Sequence, residues 1–277
     1  KYAHGGTKKK LNILEELKKK NNYKTKSLKD LRKLPVYSGI FELFFRKKRF
    51  LMLNIYNDDA IPLKYFWRGG YENLSLDLWY LATRKDGAFL DIGAHTGLYS
   101  IVGNLNKKQN QIISIEAFYM NYARLMSNLK LNSFSPKNCI LGAATNKDGY
   151  SNFQVPTSFD YHSSGGRVSE RGNLKVQNIV IDGFKLDKKI RGIKIDTEGN
   201  EYNVLLGAEN SLKKDKPIII FEINKRGFEQ CISLLSNLNY KFYFLDEVNN
   251  CSVEIKKIEE RFYTKLEGSN CYAKPQN

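Results

Sequence analysis

The sequence predicts an α/β fold in which a mostly parallel, seven-stranded sheet carries helices on both faces. From residue 88 onward, short apolar runs alternate with helical stretches, as expected of parallel strands joined by crossover helices. The helical stretches follow Gly97, Tyr119, Gly199 and Gly227. The predicted strands span residues 88–92, 112–116, 139–144, 193–196, 218–223, 240–245 and 271–274.

Two smaller parts are predicted ahead of this sheet. Residues 1–35 are predicted to form a basic helical arm, because leucines recur at helical spacing on both sides of a break near Asn21. Residues 36–70 are predicted to form a β-rich extension, with a hairpin that turns at residues 46–49 and a further strand at 59–67. Residues 71–277 then form the main domain.

The main domain has two further predicted features. Residues 72–84 are predicted to form a helix that packs Leu74, Leu78 and Leu81 inward. Extra strands are predicted at residues 150–156 and 176–181. The polar, glycine-rich stretch between these strands is expected to form a loop that covers the site.

The net charge of +16 is concentrated near the N-terminus. Residues 1–50 contain 16 Lys/Arg and four Asp/Glu, whereas the remaining residues contain 29 and 25. This basicity is compatible with contact to nucleic acid, an anionic glycan or a membrane surface, or with a solvated Lys-rich face. No apolar run approaches the roughly 18 residues of a membrane span. The four cysteines form no CxxC pair, which predicts free thiols and a cytoplasmic location.

The stretch FLDIGAHTG at residues 89–97 is the strongest local motif. It predicts a buried strand that enters a glycine-lined turn, and Glu116 ends the next predicted strand, where nucleotide-binding folds hold a ribose. His95 occupies the position at which a dinucleotide-binding motif needs its second glycine for the pyrophosphate. Asp91 would repel phosphates but could accept from an ammonium group. The motif therefore favours S-adenosylmethionine over NAD.

A second motif, GIKIDTEGNE at residues 192–201, places charges on a strand that is predicted to be central. Buried charges are costly unless paired, and Glu222 is the predicted partner of Lys194. Asp196 falls at the carboxyl end of this strand, where open α/β sheets bind ligands. Glu198 and Glu201 lie near the following helix N-terminus, and Glu201 is interpreted mainly as a helix cap.

These motifs, together with IEAFYMNYARLMSNLKLN, GAENSL and KPIIIFEIN, resemble the FkbM family of S-adenosylmethionine-dependent methyltransferases. The resemblance spans roughly residues 40–275 and implies a Rossmann-like class I methyltransferase fold. The sequence departs from the family pattern at His95, where Asn is usual, and at Ala117–Phe118, where Pro is usual.

The resemblance implies which residues form the site. Asp196 and Glu198 would be catalytic, beside the transferring methyl group. His95 and His162 are alternative bases. For Asn121, orientation of the ribose and a role in starting the helix stay equally open. The implied cofactor-binding residues are Glu72, Asp91, Gly93, Ala94, His95, Gly97, Glu116, Ala117, Asn121 and Ala143.

The implied reaction is methyl transfer to a hydroxyl of a sugar, glycan or secondary metabolite. The alternative is a methyltransferase that acts on RNA or another nucleic acid through the basic arm, although the arm carries no recognisable RNA-binding motif. A third possibility is a binding protein without activity, against which the intact site residues argue. No metal is predicted, because no third ligand accompanies Asp196 and Glu198.

Overall fold

A computed structural model describes residues 3–106, 110–155, 165–263 and 269–276. The helices in these ranges are α1 (Ala3–Lys20), α2 (Leu28–Arg32), α3 (Ala60–Arg68), α4 (Asn73–Ala82), α5 (Leu98–Asn104), α6 (Tyr119–Leu131), α7 (Glu201–Leu206), α8 (Glu209–Asp215) and α9 (Phe228–Asn237). The strands are β1 (Gly39–Phe45), β2 (Lys48–Asn54), β3 (Ala88–Ile92), β4 (Gln111–Glu116), β5 (Cys139–Leu141), β6 (Ala143–Ala144), β7 (Tyr150–Gln154), β8 (Arg167–Val168), β9 (Leu174–Ile179), β10 (Ile190–Ile195), β11 (Ile218–Glu222), β12 (Tyr240–Asp246), β13 (Cys251–Glu254) and β14 (Asn270–Pro275).

The main sheet is mostly parallel and has the strand order β13-β12-β14-β11-β10-β3-β4-β5. Only β13 and β14 run opposite to the other six strands. All seven predicted strands are present, and β13 extends the sheet by one. Alternate residues of the central strands face opposite sides, so Phe89 and Leu90 enter different apolar cores. The predicted Rossmann-like α/β class is therefore confirmed.

The core on the Phe89 face also contains side chains from the N-terminal region. Leu14 of α1, Leu31 of α2 and Tyr23 between them are buried in the same cluster as Trp79. The predicted break between the first two helices is present at residues 21–27. None of the helices that the structure describes combines the length and the apolar character needed to cross a membrane.

One prediction about the region before the sheet is wrong, and a second is right except for one residue. Residues 59–67 do not extend the small sheet of β1 and β2 but form most of α3, because the Asp59 carboxylate caps the helix by accepting from the Ile61 N–H at 2.9 Å. The predicted helix over residues 72–84 is present as α4, and Leu74 and Leu78 pack against the core as predicted, beside the fully buried Leu76 and Trp79. Leu81 departs from the prediction, because it is 42% exposed.

The predicted third strand divides between two sheets. Residues 139–141 form β5 in the main sheet, and residues 143–144 form β6, which pairs with β9. The chain crosses at Gly142, where an added Cβ would lie 2.8 Å from the Gln177 carbonyl oxygen. The two predicted extra strands are β7 and β9, which lie in this second, four-stranded sheet.

Candidate functional site

One cavity lies beyond the carboxyl ends of β3, β4 and β10, the edge at which open α/β sheets bind ligands. Its empty volume of ≈ 1060 Å³ includes the open solvent at its mouth. The residues that surround it are Ala60, Ile61, Tyr71, Glu72, Gly93, Ala94, His95, Leu98, Tyr99, Ile115, Glu116, Ala117, Phe118, Asn121, Gly142, Ala143, Ala144, Phe153, Gly165, Gly166, Val168, Lys194, Asp196, Thr197, Glu198 and Asn200.

The glycine loop, residues 93–97, connects β3 to α5 and wraps around the Glu116 carboxylate. The His95 N–H donates to Glu116 Oε2 and the Phe118 N–H donates to Oε1, both at 2.8 Å. Each carboxylate oxygen keeps further acceptor capacity for a ligand hydroxyl. Burial raises the pKa of Glu116 above its ordinary value, although His95 and these N–H groups lower it in part. His95 adopts φ +51°, a left-handed conformation that His tolerates better than most residues.

The two glycines of the loop are required by close packing. Gly93 has φ +70°, and an added Cβ would lie 1.7 Å from the Asp196 carbonyl oxygen. Gly97 has φ +98° and would place a Cβ 2.6 Å from Leu125 Cδ1 on α6. Gly93 therefore holds the glycine loop directly against the end of β10.

Gly93→Ala should destabilise the protein more than Gly69→Ala. Gly69 has a similar left-handed φ of +83° but nothing within 4 Å of an added Cβ. Both changes incur the left-handed backbone cost of roughly 1–2 kcal/mol, and Gly93→Ala adds a steric clash of about 1–3 kcal/mol. Urea unfolding of the two variants measures the difference. Equal losses would show that the contact with Asp196 relaxes freely.

A polar row crosses four neighbouring strands on the Phe89 face of the sheet. Lys194, Asp91, Ser114 and Cys139 are consecutive partners in register on β10, β3, β4 and β5. Asp91 is fully buried, and its Oδ2 accepts from Ser100 Oγ at 2.5 Å. Ser100 Oγ also lies 2.7 Å from Ser114 Oγ. The Ser100 hydroxyl thus partly satisfies the buried Asp91 carboxylate, and Ser114 contacts that hydroxyl.

The ion pairs of Lys194 differ from the predicted pair with Glu222. Its Nζ lies 3.4 Å from Asp196 Oδ2 and 3.9 Å from Asp91 Oδ1, and it donates to the Gly93 carbonyl oxygen at 3.2 Å. Lys194 thus joins both motifs of the sequence. Burial lowers the pKa of Lys194, but the surrounding carboxylates raise it above its ordinary value, so the ammonium stays charged. For Asp91, burial raises the pKa above its ordinary value, and the nearby Lys194 ammonium offsets part of this rise.

Glu72 faces the cavity from the start of α4. Its backbone is left-handed, with φ +46°, and its Oε2 accepts from the Tyr99 hydroxyl at 2.7 Å and from Asn270 Nδ2 at 3.1 Å. Burial and the nearby Asp196 raise the pKa of Glu72, while Lys194 lowers it. The N–H groups at the start of α4 donate to Glu247 instead of to Glu72. Glu72 is therefore left to face the cavity.

The turn after β10 presents Asp196 and Glu198. Asp196 continues the pairing of β10, since its N–H donates to the Ile92 carbonyl oxygen at 3.0 Å, and its side chain is 33% exposed. Glu201 Oε1 accepts from the Thr197 N–H at 2.9 Å and from the Gly199 N–H at 3.2 Å. Both N–H groups precede α7, so Glu201 closes the turn on which Asp196 and Glu198 are displayed.

The structure brings most of the sequence-derived site residues to one cavity. Asp91 and Gly97 do not surround it: Asp91 lies beneath it and acts on it through Lys194, and Gly97 packs against α6. His162 lies outside the described residues. Three cavity residues were not predicted from the sequence, namely Tyr71, Tyr99 and Lys194. For Lys194, a charge on a buried strand was the signal that could have indicated it. The predicted residues that surround the cavity are Glu72, Gly93, Ala94, His95, Glu116, Ala117, Asn121, Ala143, Asp196 and Glu198.

The chemistry of the cavity fits S-adenosylmethionine better than a dinucleotide. Four carboxylates surround the described part, those of Glu72, Glu116, Asp196 and Glu198, and the Lys194 ammonium is already paired with acidic groups. This set favours a ribose and positively charged sulfonium and ammonium groups, and it opposes a pyrophosphate. Within the described ranges, no group of three or more His, Cys, Asp or Glu is placed to hold a metal ion.

Comparisons with known protein families identify a methyltransferase domain in this chain. The profile of the Methyltransferase FkbM domain matches residues 91–242, which is more than half of the chain. Among curated proteins, no sequence matches this chain.

Solved structures of methyltransferases also match. The FkbM methyltransferase of Methylobacillus flagellatus is 14% identical, with 76% of this chain and 52% of that chain covered and a TM-score of 0.45. This chain thus spans about half the length of that protein. An S-adenosylmethionine-dependent methyltransferase of Agrobacterium tumefaciens is 10% identical, with 88% and 72% covered and a TM-score of 0.49. An S-adenosylmethionine-dependent O-methyltransferase of Thermotoga maritima is 8% identical, with 86% and 78% covered and a TM-score of 0.42.

Proposed function

Because the chain belongs to the FkbM family of S-adenosylmethionine-dependent methyltransferases, we propose that it methylates a hydroxyl oxygen of a sugar, glycan or secondary metabolite. The observation that carries this proposal is the position of Asp196. Its carboxylate lies at the tip of a central strand, partly exposed to the same cavity that contains Glu116. A cofactor held by Glu116 and an acceptor held by Asp196 would therefore share one cavity.

Two carboxylates of the cavity would hold the cofactor. Glu116 would accept hydrogen bonds from the ribose hydroxyls, because the His95 N–H of the glycine loop and the Phe118 N–H after β4 fix its two oxygens. Glu72 would accept from the ammonium of the methionine part, and Tyr99 and Asn270 hold Glu72 in place. When bound, S-adenosylmethionine supplies a methyl group on a positively charged sulfur.

Asp196 positions the acceptor and takes its proton. Transfer needs the acceptor oxygen in line with the methyl–sulfur bond, and a fixed carboxylate can hold a hydroxyl in that direction. An alcohol is a weak nucleophile, so a carboxylate that accepts its proton as the new bond forms lowers the barrier. Lys194 Nζ donates to Asp196 Oδ2 at 3.4 Å, which anchors this carboxylate at the tip of β10.

A neutral acceptor is the class that the described charges support. Acidic side chains predominate around the described part of the cavity, and phosphate groups would be repelled there. The basic residues are concentrated instead in residues 1–50, which is the observation that favours the alternative of a nucleic-acid acceptor bound through the arm. Methylation of RNA would then require the arm to hold the RNA phosphates away from Asp196 and Glu198.

Product analysis over an acceptor panel tests the proposal. The purified chain would be incubated with S-adenosylmethionine and, separately, with sugars, glycolipids, polyhydroxylated metabolites and mixed RNA, and each product would be weighed by mass spectrometry. We expect one hydrogen to be replaced by a methyl group on a hydroxyl of a neutral acceptor. Methylation of RNA alone, with affinity that falls steeply as salt rises, would establish the alternative instead.

A further inference from the structure

The polar face of α6 fastens the N-terminal β extension to the main domain. Arg124, Asn128 and Asn132 recur at intervals of four residues and therefore lie along one side of the helix. Arg124 Nη2 lies 2.5 Å from Asp58 Oδ2, just beyond the hairpin. The two asparagines reach the open edge of β2. Side-chain amides of α6 therefore occupy the edge of β2 at which a further strand would otherwise pair.

Asn132 uses its amide only on the helix and on β2. Its Oδ1 accepts from the Leu51 N–H, and its Nδ2 donates to the Leu51 carbonyl oxygen, both at 2.8 Å. The same Nδ2 lies 2.7 Å from the Asn128 carbonyl oxygen. Asn132 therefore pairs with β2 as one residue of a neighbouring strand would, and none of these hydrogen bonds reaches the glycine loop.

Asn128 divides its amide between the extension and the glycine loop. Its Oδ1 accepts from the Leu53 N–H at 2.8 Å, and its Nδ2 donates to the Thr96 carbonyl oxygen at 2.8 Å. Thr96 lies between His95, whose N–H fixes Glu116, and Gly97, which packs on α6 at Leu125. Asn128 is fully buried, so water cannot replace either bond without a rearrangement.

The extension also contributes to the cavity wall. Ala60 and Ile61, at the start of α3, form part of the cavity wall. The buried Asp59 carboxylate lies 3.9 Å from His95 Nδ1. A shift of the extension relative to α6 would therefore move both the wall and the contacts of the glycine loop.

We propose that Asn128 is a positioning residue for the cofactor: its single amide couples the docking of β2 to the geometry of the glycine loop, whose His95 N–H fixes Glu116. This inference rests on the proposed function, because the loop must bind a nucleoside for its geometry to matter. Coupling of this kind is reciprocal, so a bound cofactor should also hold β2 more firmly.

The test compares Asn128→Asp with the matched change Asn132→Asp. Each change keeps an oxygen that accepts from β2 and removes an amide donor. Only Asn128→Asp removes the donor to the glycine loop and places a carboxylate oxygen against the Thr96 carbonyl. We expect the dissociation constant for S-adenosylmethionine to rise about tenfold in Asn128→Asp and to stay at the wild-type value in Asn132→Asp. Turnover at saturating cofactor should be largely kept in both.

Hydrogen exchange of the Leu53 N–H is a second measurement. Its dependence on cofactor would be the same in both variants if Asn128 had only a structural role. Cofactor should slow exchange of the Leu53 N–H in the wild type and in Asn132→Asp, but not in Asn128→Asp. Equal affinity losses in the two variants, or none in Asn128→Asp, would overturn the proposal while leaving methyl transfer untouched. A wild type that binds no cofactor would instead refute the proposed function and the inference with it. If Asn128→Asp does not fold, Asn128→Ser and Asn132→Ser replace the pair with the same expectations.

Discussion

Asp196→Asn should lose most methyl transfer while it binds S-adenosylmethionine almost normally. The amide has the shape of the carboxylate but cannot accept a proton from an alcohol at neutral pH. General-base catalysis typically contributes about 10²–10⁴-fold to a rate, and we expect a loss of that size. The cofactor contacts assigned to Glu116 and Glu72 do not involve this oxygen. The fold should also persist, because Asp91 still neutralises Lys194.

Single-turnover methyl transfer and calorimetric binding of S-adenosylmethionine separate these two effects. A variant with normal binding and little transfer assigns Asp196 to the chemical step. Asp246→Asn serves as a control, since Asp246 accepts from the Val248 and Asn249 N–H groups in a turn after β12 and does not line the cavity. Full turnover by Asp196→Asn with unchanged cofactor affinity would remove the proposed base.

Local patterns were sufficient for most of the sheet but not for its surroundings. The apolar runs that became β3, β4, β10 and β11 are buried on both faces, so their composition alone indicates buried strands. β13 is exposed at every residue and forms because β12 lies beside it, so no apolar pattern announces it. Residues 59–67 end in three aromatic residues, a composition that is compatible with a strand or a helix. The Asp59 cap and Pro62 in the first turn were the signals that favoured the helix.

The site shows the same limit at the level of single contacts. The sequence places a charge at Lys194 on a buried strand but does not say which neighbouring strand supplies its partner. The structure sets Asp91 directly opposite Lys194 on β3, whereas on β11 the opposite residue is Ile220 and Glu222 lies two residues further on. Register between strands that are distant in the sequence decides this contact, and the sequence pattern does not encode it. Likewise, the two hydrogen bonds of the Asn128 amide, to Leu53 and to Thr96, depend on how α6 lies across β2.

Glu116→Ala should bind S-adenosylmethionine about tenfold to a hundredfold more weakly than the wild type. Hydrogen bonds to a charged group typically contribute about 1.5–3 kcal/mol, and these are lost with the carboxylate. The change also leaves the His95 and Phe118 N–H groups without their acceptor, which loosens the glycine loop. Stability should fall as well, so affinity must be compared with a variant that suffers a similar structural loss.

Asp182→Ala is that matched control. The Asp182 carboxylate also accepts from two backbone N–H groups, those of Asn210 at 2.9 Å and Ser211 at 2.8 Å, but it lies at the start of α8 and does not surround the cavity. Calorimetric titration of the wild type, Glu116→Ala and Asp182→Ala with S-adenosylmethionine is the most direct test that this cavity is the cofactor site. We predict one molecule bound per chain, at least about tenfold weaker binding in Glu116→Ala, and wild-type affinity in Asp182→Ala. Unchanged affinity in a folded Glu116→Ala would contradict the assignment of the cavity.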